Sequence, residues 1–512
     1  MPASSRRSDS PVPVSRVFVP GFVLLSLLSI LWALAGPIFS SPDENAHAAK
    51  AIGQFRGELL GEHKYDARYP VIDLPSSYRY SPGIVCFAHH SEIAADCGVK
   101  LGDPGGTDWF DSWVGSYNPT YYYLVGWPSV FLGGSTGIYA MRIVGALACS
   151  ALLALAFTLG IRARRARWIP VGLAFAASPM VVYLDGSISP QGMEVASGVL
   201  LTVSLLRLLE KRRDWGSVFS ARWLLWTGVV IGGVMLAVSR ALGPLWVVLI
   251  VAVIFTVHGW RRSLRLFAEA YSYRWIAVIA AVGFFSIGWT LYSGSLSGQA
   301  EETDAPLVGA SFLAGAGATL RLTGRFATEA AGVFGWLDTP LPEVLYALYA
   351  GAVIAVIVLA FAASRGRLRR VVVGSLLVAL LVPAIVQGIS VSRTGLIWQG
   401  RYGLFLYLAV LFILVWIISQ STESNHLSTG VALAVNLIVT AYGVAAFVIV
   451  LRRYVVGTDD VITKMLSSPE WQPPLTWPVL TLLMILTSLA FVVWNTRLAV
   501  RLARWEDLPH AI

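Results

Sequence analysis

The sequence VFVPGFVLLSLLSILWALAGPIFSSPDENAH, residues 17–47, decides the fold because a long apolar run ends in it directly before two acidic residues. The apolar part, 17–40, is long enough to cross the hydrocarbon core of a bilayer as one helix, and too long for the apolar core of a cleaved signal peptide. Asp43 and Glu44 follow at the expected membrane edge. Two carboxylates in that position indicate a solvated helix start, a proton or ion site, or the catalytic end of an enzyme that acts on lipid-linked substrates.

The composition is that of a polytopic membrane protein. Of 512 residues, 56% are hydrophobic and only 13% are charged, and the mean hydropathy is +0.67. Apolar runs recur with lengths that match the bilayer, which predicts an all-α fold with about twelve transmembrane helices in a single membrane domain. The predicted spans are 17–40, 137–160, 168–186, 190–209, 223–239, 242–258, 275–294, 342–363, 371–390, 401–419, 428–451 and 476–496.

The distribution of charge predicts the orientation. The net charge of +9 comes from basic residues between the spans, so it indicates cytoplasmic loops rather than a nucleic-acid surface. These loops are too short to build a site for ATP or a nucleotide sugar. We expect the informative polar sequence on the extracytoplasmic face, in a long first segment of short helices at 41–136, a second segment at 295–341, and loops at 186–189, 240–241, 391–400 and 452–475.

The two ends of the chain are expected to be cytoplasmic. Residues 1–16 are polar and contain several prolines, which predicts a disordered N-terminus. Residues 497–512 carry further arginines and are predicted to form a cytoplasmic tail. The membrane domain then comprises residues 17–496.

The stretch NPTYYYLVGWPSVFLGG, residues 118–134, is apolar but shorter than a membrane span, and it contains Pro128. Counting it as a span would place the basic run at 162–167 outside the cell. It therefore predicts an interfacial helix whose aromatic side chains lie among the lipid headgroups.

The three cysteines fall in two environments. Cys86 and Cys97 both lie in the first extracytoplasmic segment, whereas Cys149 lies within a predicted span. A disulfide between the first two is feasible in an oxidising compartment. The alternative is a pair of buried thiols that behave as small apolar side chains.

The motif PDENAH carries three polar side chains on one helix face, because Asp43 lies four residues and Glu44 three residues before His47. A carboxylate beside an imidazole is able to hold a divalent cation, or to take a proton from a hydroxyl as a general base. The alternative is structural, because Ser41 and Pro42 make a good helix start and acidic residues stabilise a first helical turn.

Arginines at the predicted outer edge of the membrane are candidates for binding a phosphate. Arg393 and Arg401 flank one outer loop, with Gln399 and Tyr402 beside Arg401, and Arg240 follows the end of another span. Fixed cations at such a place stabilise the charge of a departing phosphate. The alternative is that these arginines reach lipid headgroups, as arginines at helix ends commonly do.

Two further pairs of residues are candidates for substrate binding. Trp336 and Asp338 stand just before a span, and Asn118 and Tyr122 belong to the interfacial stretch. Aromatic rings stack on sugar faces, and carboxylate or amide groups bind sugar hydroxyls. The alternative is an interfacial anchor for the aromatic residues and a helix cap for Asp338.

Together, the motifs PDENAH, YNPTYYYLVGWP, FGWLDTPLP and QGRYGLFLYL, spread over residues 42–408, resemble a bacterial membrane-protein family of unknown function. The order of a first span, an acidic pair, a long outer segment and many spans is similar to that of the GT-C superfamily of polytopic glycosyltransferases. That resemblance implies a sugar donor linked to polyprenyl phosphate and an extracytoplasmic site. It also implies Asp43 as the catalytic base, with Glu44 as the second candidate or a helper.

The sequence departs from the metal-dependent members of that superfamily in one place. Where relatives carry a second acidic motif with an Asp beside a Pro, residues 184–198 read LDGSISPQGMEVASG, and Gln191 follows Pro190. No cofactor is therefore assigned, and a divalent cation is left open.

Two functions of different classes account for the sequence. The first is an inverting transferase of the bacterial plasma membrane that uses a polyprenyl-phosphate-linked sugar, a glycan or lipid acceptor for the cell envelope, and no nucleic acid. The second is a proton-coupled transporter or flippase in which Asp43, Glu44 and His47 form the proton site. The charges cluster at the ends of the spans rather than at their centres, which favours the transferase. A non-catalytic scaffold for envelope assembly is a third hypothesis.

Overall fold

The computed structural model describes residues 15–62, 69–80, 85–163, 165–210, 218–295, 305–421 and 425–507. These residues are mostly helical. In chain order the helices are α1 (Ser15–Ala35), α2 (Glu44–Gln54), α3 (Thr120–Gly126), α4 (Gly134–Gly160), α5 (Ile169–Ala176), α6 (Pro179–Asp185), α7 (Pro190–Leu208), α8 (Val218–Ser239), α9 (Gly243–His258), α10 (Trp260–Phe267), α11 (Ala270–Ser293), α12 (Phe312–Arg321), α13 (Thr323–Gly332), α14 (Glu343–Ala363), α15 (Arg367–Thr394), α16 (Leu404–Ser419), α17 (Ser428–Val456), α18 (Lys464–Ser467) and α19 (Trp477–Glu506).

Within the described ranges, nine helices are long and apolar enough to cross a membrane. Each of them coincides with a span that the sequence predicts. On these helices some apolar side chains are buried in the protein and others are exposed on its surface, as expected of helices that have lipid on one side. The nine are α1, α4, α8, α11, α14, α15, α16 with the turn before it, α17 with the turn before it, and α19.

The other three predicted spans have different structures. The stretch 168–186 forms two short helices, because Pro179 starts a new helix after the break at Ser178. The stretch 190–209 forms α7, which contains Glu194 and Arg207 and is buried along its whole length. The stretch 242–258 forms α9, which has 16 residues and bends by 119° into α10. The count of about twelve spans stays a prediction.

Helix α7 lies at the centre of the bundle, where it packs against α4, α8, α9 and α16. The close approach of α8 depends on small side chains. A Cβ atom on Gly232 would lie 2.7 Å from the backbone nitrogen of Leu201, and one on Gly228 would lie 2.4 Å from the Ser204 hydroxyl oxygen. Small residues let helix backbones approach closely in membrane proteins, where dispersion contacts drive much of the packing. The remaining long helices surround this centre, with α1 between α4 and α19.

The segment 41–136 folds over one end of the bundle. It contains the short helices α2 and α3, as the sequence predicts, and also an antiparallel ribbon of β1 (Val71–Asp73) and β2 (Trp109–Asp111) that it does not predict. Ile72 lies opposite Phe110 in this ribbon. Cys86 and Cys97 form a disulfide. In the stretch 118–134, α3 has seven residues and is too short to cross a bilayer.

The segment 305–341 and the loop after α17 lie at the same end of the bundle. The Trp336 indole N–H donates to the carbonyl of Phe39 at 3.1 Å. At the opposite end, Arg167 pairs with Glu506 and Asp507 at 2.7 and 2.6 Å. Helix α19 thus continues beyond the predicted start of the tail at 497. Of the predicted disordered N-terminus, residues 1–14 lie outside the described residues, as do 508–512 of the tail.

Candidate functional site

Asp43 occupies the residue before the first turn of α2, but its side chain does not cap that helix. Its backbone is in the left-handed region, with φ 65° and ψ 0°, and its carboxylate accepts no hydrogen bond from the N–H groups of the helix. The left-handed conformation costs a non-glycine residue about 1–2 kcal/mol. An Asp at this position ordinarily accepts a hydrogen bond from the helix. The capping explanation of Asp43 is therefore not the arrangement that the structure adopts.

The Asp43 carboxylate is instead held by two side chains from distant parts of the sequence. The Trp113 indole N–H donates to Oδ1 at 3.2 Å, and Arg401 Nη2 donates to Oδ2 at 3.1 Å. The Asp43 side chain is 34% exposed, whereas Arg401 is only 4% exposed. A buried cation is thus paired with a carboxylate that is partly accessible on the surface of the protein.

Glu44 points the other way, into the bundle. Its carboxylate accepts two hydrogen bonds from Arg142, at 2.7 and 2.5 Å, and a third from the Ile188 N–H at 3.0 Å. Arg142 also donates to the carbonyls of Ala33, Gly36 and Pro37. This fully buried, bidentate pair joins the end of α1 to α2 and α4, so adjacent acidic residues have opposite environments.

His47 lies one turn into α2, beneath Asp43. Its Nδ1 is 2.8 Å from the Tyr122 hydroxyl, and its ring stacks on the Tyr122 ring. Burial lowers the pKa of His47 to about 3; the charge of Asp43 opposes this effect, while Arg240 and Arg401 add to it. A neutral imidazole at neutral pH is therefore expected, which suits a hydrogen-bonding role and not a permanent cation.

The predicted outer-edge arginines Arg240 and Arg401 meet at Tyr402. Their guanidinium carbons lie 4.6 and 5.4 Å from the centre of the Tyr402 ring. Arg240 is hydrogen-bonded to Tyr117 and interacts electrostatically with Glu194 of the central helix α7. The cation–π contacts with Tyr402 and the charge of Glu194 thus hold two guanidinium groups near Asp43.

Arg401 is positioned by its neighbours in a short 3₁₀ turn, Gly400–Gly403. Its Nε donates to the Gln399 side-chain oxygen at 2.7 Å. The Gly400 N–H donates to Glu329 of α13 at 2.7 Å. A Cβ atom on Gly400 would lie 2.0 Å from the Phe326 carbonyl oxygen, so only glycine fits there.

Asn118 and Tyr122 belong to the same region as His47. The Asn118 side-chain oxygen accepts from the Thr120 N–H, at the first residue of α3, at 3.0 Å, while the Gln54 amide of α2 donates to the Pro119 carbonyl at 2.7 Å. Asn118 therefore shapes the helix that presents the Tyr122 hydroxyl to His47.

Trp336 and Asp338 lie at the same end of the bundle but have structural partners. Asp338 accepts from Arg453 at 2.9 Å and from the His89 N–H at 3.1 Å. Arg453 also donates to the carbonyls of Phe87, His90 and Ile93, within the loop that the disulfide closes. Arg393 is exposed in the last turn of α15, and among the described residues the ion pair of Asp43 is with Arg401 instead.

A divalent cation at Asp43 would need further oxygen or nitrogen ligands from the surrounding side chains. In the part of the chain that the structure describes, no three His, Cys, Asp or Glu side chains come together as a ligand group. The other acid of the motif is already paired with Arg142. Among the described residues, the surroundings of Asp43 therefore do not supply the ligand set of a metal centre held by protein side chains alone.

Four further side chains complete this region without having been predicted as site residues from the sequence: Trp113, Tyr117, Arg142 and Glu194. A signal exists for Arg142 and Glu194, because each is an ionisable residue inside a predicted span, where such a side chain requires a buried partner. Trp113 is one of 19 tryptophans, and nothing in the sequence distinguishes it from the others. Only the folded ribbon brings it close to Asp43 at the start of α2.

The fold and this site define a polytopic α-helical membrane protein with a polar, carboxylate- and guanidinium-containing site at one end of its helical bundle. The chain belongs to the family described as "Predicted membrane protein (DUF2142)", whose model matches residues 25–407. The matched range includes Asp43, Trp113, Arg240 and Arg401. No curated protein matches the chain.

Proposed function

We propose that this protein is an inverting glycosyltransferase that moves a sugar from a polyprenyl phosphate to a hydroxyl of a cell-envelope acceptor, on the extracytoplasmic face of the bacterial plasma membrane. The observation that carries the proposal is the Asp43 carboxylate, which is turned away from its own helix, partly exposed, and 3.1 Å from the buried Arg401 guanidinium. A base and a cation for the leaving phosphate are the two groups that this reaction needs.

In the proposed reaction, an acceptor hydroxyl approaches the exposed side of Asp43. Asp43 takes the hydroxyl proton while the oxygen forms a bond to the anomeric carbon of the donor sugar. The bond from that carbon to the phosphate oxygen breaks, and the polyprenyl phosphate leaves with the bonding electron pair. Attack from the face opposite the leaving group inverts the anomeric configuration.

Arg401 retains donors for this phosphate. A guanidinium group has five N–H donors in a fixed fork. Nε is used by Gln399 and one Nη2 hydrogen by Asp43. Arg240 also contacts the Tyr402 ring and supplies a second positive charge. The two arginines are therefore suited to bind the singly charged phosphodiester of the donor and to balance the second negative charge that the phosphate gains on leaving.

The orientation in this proposal is supported by two features. The Cys86–Cys97 disulfide lies in the segment that covers Asp43, and disulfides persist in oxidising compartments outside the cytoplasm. The basic clusters, including Arg167, lie at the opposite end of the bundle, where the retention of positive charge in the cytoplasm would place them. Counting α5 with α6, α7 and α9 as crossings, we propose about twelve spans with both termini cytoplasmic.

Glu44, His47 and the aromatic residues have supporting roles in the proposal. Glu44 holds Arg142 and so fixes the start of α2, which leaves Asp43 as the base. His47, Asn118 and Tyr122 line the same side as Asp43 and are assigned to the acceptor. Arg393, exposed at the end of α15, is assigned to the outer part of the substrate path, near the lipid headgroup region. Trp336 and Asp338 are assigned to the support of this end of the bundle and not to the substrate, because they are bound to Phe39 and Arg453.

The experiment uses purified protein in liposomes, offered a panel of polyprenyl-phosphate-linked sugars and envelope acceptors. We expect Asp43→Asn to reduce transfer by more than about a hundredfold, the usual scale for the loss of a general base. Arg401→Ala is expected to reduce it to a similar degree, and Arg401→Lys to restore only part of it, because lysine lacks the fork. Asp96→Asn and Arg321→Ala, at exposed residues, are the matched controls.

The outcomes separate the transferase from the transporter. Undiminished transfer in Asp43→Asn would refute the proposed mechanism. If no donor is turned over, but pH-dependent movement of a lipid or solute across the liposome membrane is lost in Asp43→Asn, the proton-coupled transporter is the better assignment.

A further inference from the structure

Trp113 is the other side chain that holds Asp43, and nothing in the sequence motifs points to it. Its indole N–H donates to Asp43 Oδ1 at 3.2 Å, while Arg401 donates to Oδ2. A carboxylate has about four lone-pair directions on its two oxygens. With one donor on each oxygen, the plane of the carboxylate is fixed while further lone pairs stay available to an acceptor hydroxyl.

The backbone that carries Trp113 is fastened to α2 on both sides. The Ser112 hydroxyl donates to the Ala46 carbonyl at 3.1 Å, and Lys50 Nζ donates to the Gly115 carbonyl at 2.5 Å. Ser112 is fully buried, as is Lys50. Helix α2 therefore carries both Asp43 and the two anchor points of the turn that presents Trp113.

The Trp113 ring is also fixed by aromatic contacts. It packs edge-on against Tyr69 at 6.3 Å and at a tilt against Phe110 of strand β2 at 5.9 Å, measured between ring centres. Its surface is only partly buried. The side chain is thus rigid on one side and open towards the exposed face of Asp43.

We infer that Trp113 is a positioning residue for the reaction proposed above, which orients the Asp43 carboxylate by donating its indole N–H to Oδ1. This inference rests on the proposed function. Without the indole donor, Asp43 keeps its contact with Arg401 but loses the second point that fixes its plane. Its ionised form also loses one hydrogen bond that its protonated form does not need.

The test measures the pH dependence of sugar transfer in liposomes for the wild type and Trp113→Phe, which keeps an aromatic ring and removes the N–H. The acidic limb of the profile, where the rate of transfer falls as the pH is lowered, is expected to move to higher pH by about half a unit to one unit. A shift of this size corresponds to the free energy of one ordinary hydrogen bond. The charged or titratable groups that face Asp43 are Arg401 from the turn before α16, Arg240 from the turn after α8, His47 from α2, and Tyr117 and Tyr122 from the segment around α3.

The matched control is Trp109→Phe, the same substitution on strand β2, at a ring that is 37% exposed. Its pH profile is expected to superimpose on that of the wild type. If Trp113→Phe fails to fold, benzothienylalanine at position 113 keeps the shape of tryptophan and lacks the N–H donor. Because the position of the limb does not depend on how much protein is active, a purely structural role of Trp113 would lower the rate without moving the limb.

The failures are distinguishable. If the acidic limb is unchanged in both position-113 variants while Asp43→Asn has lost transfer, the role of Trp113 is refuted and the transferase stands. If Asp43→Asn transfers as fast as the wild type, the proposed function itself is refuted.

Discussion

Replacing each acid of the neighbouring pair by its amide should separate a structural carboxylate from a functional one. Glu44 is fully buried and Arg142 is 2% exposed, and their bidentate contact is made at 2.7 and 2.5 Å. Glu44→Gln leaves the Arg142 charge buried without its counter-charge. Removing one partner of a buried ion pair costs about 3–5 kcal/mol. The Asp43 side chain is 34% exposed, so Asp43→Asn should cost about 1 kcal/mol or less.

The measurement is the free energy of unfolding of each purified variant in detergent micelles, from denaturant titrations followed by tryptophan fluorescence. Glu92→Gln, at an exposed glutamate of the same segment, is the control and should unfold at the same denaturant concentration as the wild type. In the double variant Glu44→Gln with Arg142→Gln, the loss should be smaller than the sum of the single losses, because the two residues act as one unit.

Equal losses in Asp43→Asn and Glu44→Gln would refute this reasoning, because the two carboxylates would then contribute alike to stability. A Glu44→Gln variant that unfolds at the wild-type denaturant concentration would also refute it. Either outcome would remove the assignment of Glu44 as the residue that fixes the start of α2.

Three further predictions concern the segment over the site and the turn before α16. Reduction of the Cys86–Cys97 disulfide should lower the free energy of unfolding by about 2–4 kcal/mol, measured with and without a reductant in the denaturant titration. Burial lowers the pKa of Lys50 to about 7, so the unfolded chain binds more protons than the folded protein above that pH. The free energy of unfolding of the wild type should therefore rise between about pH 7 and 10. This rise should be absent in Lys50→Met. Gly400→Ala should abolish folding or transfer because its Cβ meets the backbone of α13, whereas Gly430→Ala, at a glycine with no atom within 4 Å of its Cβ, should leave the yield of folded protein unchanged.

The sequence predicts the membrane helices well where hydropathy alone decides them. The nine helices that are long and apolar enough to span, within the described ranges, all coincide with predicted apolar runs. It predicts structure less well around α5, α6 and α9, because prolines and a glycine divide these runs. The ribbon of β1 and β2 has only three residues in each strand, which is too short for an alternating pattern to be recognised.

For the candidate site, the sequence identifies several of the right side chains but not their partners. Asp43, Arg240, Arg401 and Tyr402 are selected from their places beside apolar runs, and the structure brings them together. The resemblance alone ranks Asp43 above Glu44 as the base, whereas the structure separates them physically: Glu44 is buried against Arg142 and Asp43 is partly exposed.

The sequence by itself determined that this chain is an α-helical membrane protein, because apolar length and the placement of charge act locally and can be read one segment at a time. Only the tertiary structure decided which of two adjacent carboxylates faces outward, since that depends on Trp113 and Arg401, which lie 70 and 358 residues away in the chain from Asp43. Contacts over such separations depend on how the helices pack, and no local pattern in the chain encodes them.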